Sequence, residues 1–421
     1  MINYQTGQLP SPGIILPFYA TGTVAFMILC ILMVWSPQSL LMHYFNPHLL
    51  AITHTAALGW GTMIIFGASY QLLPVITEKK LWSEDLAFAS WYLLLAGVIL
   101  LVYAFWNLRT GWVMITGGSL VTLSAVFYLG NTLLTGTVDR GDNIQRYFMA
   151  TSAGWLVFTA IVGLLLAINL KYPFFSRNHM EILKIHAHLG LAGWFLQLIT
   201  GVSSKLVPMF LLGRSGKNVL MTYALILQNA GLLSFIADLY FFGYSERILI
   251  YLTLVVLGIG CWLWFLADNF TNRIKKRVDF QMRHTFISMW CLVFAVVLIP
   301  VVHYDQTSSV TIVYGVLLLM GWITGIILGQ SFKTLPFIVW NSHYRDLTGR
   351  VRVPLPRDLY RERWLRWQLW IYVVSVILLV IGIISRHMMI IRIATWSWLG
   401  LSLLYAINIS QILLHKNEVK E

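Results

Sequence analysis

Two histidines, His54 and His188, open long apolar segments that otherwise carry few groups able to do chemistry. An imidazole in apolar surroundings can offer one nitrogen lone pair to a metal, while its other nitrogen must find a hydrogen-bond partner. Neither histidine has a carboxylate four residues further along the chain. The residue types therefore favour imidazole ligation of haem iron or copper over a carboxylate-rich metal cage.

Three further histidines are candidate ligands. His186 stands two residues before His188, so the two side chains should point to opposite sides of a helix and should not chelate one ion unless the helix starts between them. His48 precedes His54 by six residues and is expected near the outer surface. His284 opens a later apolar segment beside an arginine, which favours a solvated or interfacial role on the cytoplasmic side.

The segment at 54–74 recurs without gaps at 188–208 and again at 316–336. Chance matches in apolar sequence can align Gly or Leu, but not Gly-Trp, Gly-x-Ser and Pro in one register. The third copy has Val316 where the first two have histidine. Five positions are identical in all copies: Gly59, Gly193 and Gly321; Trp60, Trp194 and Trp322; Gly67, Gly201 and Gly329; Ser69, Ser203 and Ser331; Pro74, Pro208 and Pro336.

A sixth position of the repeat is polar in each copy, with Gln71, Lys205 and Lys333. We expect the lysines to extend to the cytoplasmic interface, and the alternative is a proton-handling or anion-pairing role. The repeated glycines should allow close approach of a helix or a flat macrocycle. The tryptophans should be packing residues, and the prolines should end or kink each helix.

The elements that position these residues are membrane helices. Hydrophobic residues make up 58% of the 421-residue chain and charged residues only 11%, against about 25% charged in soluble domains. Twelve apolar segments are long enough to cross a bilayer. They lie near 14–36, 48–76, 86–106, 112–135, 147–170, 182–212, 219–242, 248–268, 284–303, 310–340, 368–386 and 391–414.

The basic residues predict the orientation of these spans. The loops after even-numbered spans, with the C-terminal tail, carry 20 Lys and Arg, and the opposite set carries 7. The positive-inside rule therefore predicts that both termini are cytoplasmic. The rule also accounts for the net charge of +13, so a nucleic-acid partner is not expected. His54 falls in the predicted outer half of its span.

Four spans separate each copy of the repeat from the next, which predicts a pseudo-symmetric architecture. We expect an all-α integral membrane protein with a single membrane domain over residues 1–421. It should contain three four-helix units, near 10–140, 141–275 and 276–421; we call them repeats 1, 2 and 3. Internal repeats of this kind are a common way to build membrane folds around interior sites.

Twelve spans, cytoplasmic termini, three four-helix units and a histidine in the outer half of span 2 resemble subunit I of the haem–copper oxidase superfamily. The segment FGASYQLLP after His54 looks most like the nitric oxide reductase branch, and the pattern is also similar to NnrS-like nitric-oxide-response membrane proteins. The resemblance implies that His54 is an axial ligand of a low-spin, b-type haem. It implies that His188 is a ligand of copper or non-haem iron.

The chain departs from that family where the gas-reducing centre should be. The family has a histidine pair in span 7 and two haem-ligating histidines in span 10, whereas residues 219–242 and 310–340 contain no histidine. The resemblance therefore implies a degenerate member that retains one or two haems through His54 and His188. A haem iron at His54 would be five-coordinate and able to bind a diatomic gas. Alternatively, a Met, Lys or further His would supply its sixth ligand.

The expected function is haem binding in a bacterial cytoplasmic membrane, with electron transfer or handling of NO or O2. One alternative is a copper or haem transport or assembly factor, with His186, His188 and His48 as transient ligands. Others are an active nitric oxide reductase or oxidase-like subunit, and a purely structural subunit of a respiratory complex. Expected partners are membrane lipids and respiratory-chain subunits or an electron donor. The arginine-rich loop after Asn341 is expected to be a cytoplasmic loop, and an acidic partner or lipid headgroups are the alternative.

Overall fold

The computed structural model describes residues 10–135, 143–305 and 307–416. Within these ranges the chain is all-α, and twelve helices are long and apolar enough to span a membrane, which confirms the predicted fold class. The largest boundary difference is at the end of the tenth span, expected at 340 and observed at Leu347. The helices are α1 Pro12–Trp35, α2 Pro47–Thr77, α3 Glu84–Trp106, α4 Trp112–Thr135, α5 Ile144–Lys171, α6 His179–Leu211, α7 Val219–Phe242, α8 Ile248–Thr271, α9 Phe280–Tyr304, α10 Ser308–Leu347, α11 Glu362–Ile384 and α12 Met388–Leu413.

The helices that carry His54 and His188 begin in the same way. Asn46 precedes α2, and its Oδ1 accepts hydrogen bonds from the main-chain N–H of His48 at 3.0 Å and of Leu49 at 3.3 Å. Asn178 precedes α6, and its Oδ1 accepts one from the N–H of Met180 at 2.8 Å. Asparagine at this position satisfies N–H groups that the first turn of a helix leaves unpaired. The cap thus defines where each histidine-bearing helix starts.

All three repeat helices contain a π-helical segment at the same place. It covers Thr55–Thr62 in α2, Leu189–Leu196 in α6 and Leu317–Ile323 in α10. Each segment begins one residue after the position held by His54, His188 or Val316. Because π-helical turns are rare and usually short, their recurrence in register extends the sequence repeat to local backbone geometry.

The repeated glycines are points of close helix packing. A Cβ atom on Gly67 would lie 2.7 Å from the Cβ of Phe18, and one on Gly329 would lie 2.7 Å from the Cβ of His284. Gly201 makes the equivalent approach to Phe148, and a Cβ there would be closer still. The first helix of each repeat therefore packs on the second through a residue without a side chain.

The repeated tryptophans and prolines also have defined positions. Trp60, Trp194 and Trp322 are at most 1% exposed, as expected of packing residues. The prolines do not end their helices, while the alternative that they kink them stays a prediction. Pro74 and Pro208 lie inside helices that continue to Thr77 and Leu211, and α10 continues past Pro336 to Leu347. Membrane helices tolerate interior proline because neighbouring groups satisfy the freed carbonyls.

The chain divides by contacts into two compact units. The first comprises Gln71–Leu100 and Arg109–Val278 among the described residues, and the second comprises Pro10–Tyr70, Leu101–Leu108 and the described part of Asp279–Glu421. Repeat 2 thus falls in the first unit and repeat 3, apart from residues 276–278, in the second, while repeat 1 is divided between them. The arrangement in three four-helix units and the cytoplasmic termini stay predictions.

The first compact unit has an apolar core around the start of α6. Its buried members come from α5, α6, α7 and the start of α8. They include Trp155, Val162, Ile185, Leu189, Leu232 and Phe235. This core fixes the helix turn that carries His188.

Candidate functional site

His188 lies in the first compact unit, in the last turn of α6 before its π-helical segment. Its Nδ1 is 2.8 Å from the main-chain carbonyl oxygen of Lys184. A carbonyl can only accept, so Nδ1 carries the proton and the lone pair of the neutral ring is on Nε2. The ring packs against Phe235 of α7, with centroids 5.0 Å apart.

His54 repeats this geometry in the second compact unit. Its Nδ1 is 2.7 Å from the carbonyl oxygen of Leu50, four residues back on the same helix. The ring stacks on Phe105 at 4.6 Å between centroids, with the ring planes 25° apart. The two histidines therefore share the tautomer, the helix position and an aromatic neighbour. In metal sites, a histidine ligand typically donates its second N–H to a carbonyl in this way.

The hydrogen bond alone does not distinguish these residues from other helical histidines. His343 near the end of α10 makes the same bond, with Nδ1 2.9 Å from the carbonyl oxygen of Val339. His343 lies beyond the third copy of the repeated segment, which ends at Pro336, and no π-helical segment follows it. The distinguishing features of His54 and His188 are thus their equivalent positions and the π-helical turn that follows each.

The helix face at each histidine is partly open. Ala57 and Leu58 follow His54 on that face, and all three are half-buried. His188, Leu191 and Ala192 form the matching half-buried set in α6. These neighbours are small or aliphatic, so the face has an apolar lining.

The third copy differs at this face. Val316 is 7% exposed and Met320 is 5% exposed. Leu319, the third member of the matching set, is half-buried like its counterparts Ala57 and Leu191. The copy that lacks the histidine is therefore covered at two of the three positions.

His186 and His188 contact different helices, as their two-residue spacing predicts. Nδ1 of His186 is 3.0 Å from the carbonyl oxygen of Thr159 in α5, and its ring packs on Gly163 of the same helix. Because α6 begins at His179, before both histidines, the condition under which they could chelate one ion is not met.

His48 has defined partners at the start of α2. Its Nδ1 lies 2.9 Å from the hydroxyl of Ser36, and its ring stacks on Trp106 at 4.2 Å with the planes 16° apart. Two successive aromatic residues at the end of α3 thus stack on these histidines, Trp106 on His48 and Phe105 on His54. The sequence does not predict this stacking, because the contact between α2 and α3 depends on tertiary packing.

His284 overturns the expectation of a solvated or interfacial residue, because its side chain is 0% exposed. Adjacent residues on a helix lie about 100° apart around its axis, so Arg283 faces outward while His284 faces inward. The Nε2 atoms of His284 and Gln368 are 3.4 Å apart. The sequence does carry a signal: Gln-x-x-His at 281–284 matches Gln-x-x-Phe at 145–148, and the last residue of each packs on the repeated glycine.

The sixth repeat position separates into three cases. Gln71 is 7% exposed, whereas Lys205 is exposed. Lys333 instead forms an ion pair in the second compact unit, with Nζ 2.5 Å from Oδ2 of Asp279. The anion-pairing alternative therefore describes Lys333, and the interfacial expectation for Lys205 stays a prediction.

Across the described ranges, no group of three or more His, Cys, Asp or Glu side chains is placed to hold a metal ion. No protein-family model matches the chain, and a search of curated proteins finds no relative. The candidate site is therefore described from the residues of this chain alone. It comprises two imidazoles, each with its lone pair on Nε2, each beside a partly open apolar face.

Proposed function

We propose that the protein binds haem through His54 and His188 in a bacterial cytoplasmic membrane and handles electrons, NO or O2. The proposal keeps the resemblance to subunit I of the haem–copper oxidase superfamily as its framework. One observation carries it. Two imidazoles at equivalent repeat positions are held in the Nδ1–H tautomer by their own helices, at 2.7 and 2.8 Å.

The donor set fits a haem better than a metal ion held by protein ligands alone. Porphyrin supplies four nitrogen ligands, so one imidazole is sufficient to attach the iron. A bare copper or zinc ion needs three or four protein donors. The half-buried neighbours Ala57, Leu58, Leu191 and Ala192 provide the apolar surface that a macrocycle requires.

The residues have distinct roles in this proposal. His54 and His188 would each hold the iron of a separate haem. The carbonyls of Leu50 and Lys184 orient the two imidazole rings and raise the basicity of Nε2. Phe105 and Phe235 restrict ring rotation. A bound haem would supply one-electron redox chemistry or an iron able to bind a diatomic gas.

The test is an absorption spectrum of the purified protein with metal analysis. We expect a Soret band that changes on reduction and shifts with CO or NO. His54→Ala and His188→Ala should each reduce the haem content per protein. His343→Ala is the matched control, because it removes a histidine with the same helical hydrogen bond and should leave the band unchanged.

Other outcomes would replace the proposal. Protein without a Soret band would exclude it. Substoichiometric copper with a defect in oxidase maturation would favour a transport or assembly factor. Co-purifying respiratory subunits without any cofactor would favour a structural role.

A further inference from the structure

Two buried glutamines leave one amide oxygen each without a hydrogen-bond partner. Gln228 of α7 is 1% exposed and Gln368 of α11 is 0% exposed. Oε1 of each side chain is buried and has no partner among the protein groups. Buried polar atoms are almost always satisfied, so each exception requires an explanation.

The two glutamines occupy equivalent places in repeats 2 and 3. Nε2 of Gln228 is 3.4 Å from Oγ1 of Thr200 in α6, and Nε2 of Gln368 donates to the carbonyl oxygen of Leu328 in α10 at 3.1 Å. Thr200 and Leu328 hold the same position of the repeat, immediately before the glycine that packs on the neighbouring helix. The unsatisfied oxygen is thus a recurring feature of the fold.

Rotating either side-chain amide by 180° does not supply the missing hydrogen-bond partner. The carbonyl of Leu328 can only accept, so the amino group of Gln368 must face it and Oε1 must face away. The hydroxyl of Thr200 can donate or accept. Rotating the Gln228 amide would therefore exchange an unpaired oxygen for an unpaired amino group.

Repeat 3 adds a donor beside its glutamine. Because Gln368 presents its amino group to Nε2 of His284, that nitrogen accepts and the ring proton is on Nδ1. The main-chain carbonyl of Leu365 contacts the His284 ring as a hydrogen-bond acceptor, but its geometry leaves the buried Nδ1 unsatisfied. Repeat 2 has Phe148 at the position of His284, so this extra donor is specific to repeat 3.

We propose that Gln228 and Gln368 each bind an ordered water molecule inside their compact unit, and that ordered water also accepts a hydrogen bond from Nδ1–H of His284. Buried waters in proteins characteristically bridge polar groups that would otherwise be unsatisfied. The two sites stand independently of haem binding, since neither uses His54 or His188.

The experiment is water-edited solid-state NMR of the full chain in bilayers of deuterated lipid, with glutamine labelled by 13C and 15N. Polarisation should pass from water to the side-chain carbonyls of Gln228 and Gln368 several-fold faster than to that of Gln197. Gln197 is the matched control. It is 0% exposed, and its Oε1 accepts from Thr151 and Asn229 at 2.6 and 3.3 Å.

Assignment does not depend on variants that could unfold. Gln228 forms the one Gln-Asn pair of the sequence, and Gln368 forms the one Trp-Gln pair, so pairwise labelling identifies each. Gln228→Met and Gln368→Met then confirm the signals. Transfer to both glutamines at the slow rate of Gln197 would overturn the proposal.

The histidine is tested separately. In 15N-histidine spectra, the signals lost in His284→Phe should show protonation at Nδ1, with rapid transfer from water. An Nε2-protonated ring, or slow transfer to the ring, would remove His284 from the water site.

Discussion

Repeats 2 and 3 share a backbone plan but place their histidines differently. Repeat 2 has His188 before its π-helical segment and Phe148 against the repeated glycine. Repeat 3 has Val316 at the first place and His284 at the second. Along the second helix of a repeat, the position of His188 or Val316 is separated from the repeated glycine by more than three turns, or about 20 Å.

The comparison separates architecture from chemistry. The π-helical turn, the glycine contact and the buried tryptophan are present whether or not a histidine stands before them. These features therefore belong to the helix packing. The histidines vary between repeats, so only they, and not the Gly-Trp pattern, can distinguish a cofactor site from ordinary helix packing.

The largest expected effect concerns the shared glycine contact. Gly201→Ala and Gly329→Ala should each destabilise the protein by about 1–3 kcal/mol, because the added methyl group overpacks a tight helix contact. At Gly329 the new Cβ would lie 2.5 Å from the carbonyl oxygen of Gln281. The measurement is the midpoint of thermal unfolding in detergent.

Gly154→Ala is the matched control for that prediction. Gly154 lies in the interior of α5, and a Cβ there would meet nothing within 4 Å. Alanine has the higher helix propensity, so this variant should be neutral or slightly stabilising. Equal losses in all three variants would show that the repeated glycines have no special packing role.

Exchanging the residues against that glycine is the second test. Phe148→His should destabilise by about 1–3 kcal/mol, because it buries an imidazole where repeat 2 has an apolar ring. His284→Phe should cost less, since it introduces the residue that repeat 2 uses at this position. Thermal unfolding of both variants gives the comparison. A larger loss for His284→Phe would mean that the imidazole stabilises repeat 3.

Restoring the missing histidine is the third test. Val316→His should lower the unfolding midpoint without adding haem, because Val316 and Met320 are buried where repeats 1 and 2 are partly open. The loss should be about 1 kcal/mol or more, from burying a polar ring in a filled space. Haem per protein, measured by the pyridine haemochrome assay, gives the second readout. An increase in haem content would show that repeat 3 retains room for the cofactor.

The twelve spans could be predicted from the sequence, because a membrane helix is defined by a long apolar run that local composition reveals. The equivalence of His54 and His188 could be predicted too, since it rests on spacing. Helix continuation past Pro74 and Pro208 could not, because tolerance of proline depends on neighbouring helices. The ring partners Phe105 and Phe235 depend likewise on tertiary packing.

His284 shows how a rule can mislead. His284 lies beside an arginine near the end of a span, a position that predicts solvent exposure. The helix nevertheless directs Arg283 outward and His284 inward. The gapless repeat covers only the second helix of each four-helix repeat, so it leaves out α9. Aligning α9 with α5 on their Gln-x-x-His and Gln-x-x-Phe motifs places His284 on Phe148, which is a core position.

The smallest expected effect is a pH dependence confined to repeat 3. Gln145 donates to Ser204 at 3.0 Å in repeat 2, and the corresponding Gln281 donates to the hydroxyl of Tyr360 in repeat 3. Tyr360 lies in the loop before α11. Burial, with smaller contributions from Glu362 and Asp279, raises the pKa of its phenol from 10.0 to about 12.

A raised pKa means that the folded state favours the neutral phenol, so this contribution to stability is complete below pH 10 and is lost as the pH rises to about 12. We therefore expect the unfolding midpoint of the wild-type protein to fall more steeply between those pH values than that of Tyr360→Phe. Ser204→Ala is the control, because a serine hydroxyl does not titrate in this range and its removal should leave the slope unchanged. Parallel pH profiles for wild type and Tyr360→Phe would show that the phenol ionises as readily in the folded chain as in the unfolded one, and the two glutamine contacts would then be alike.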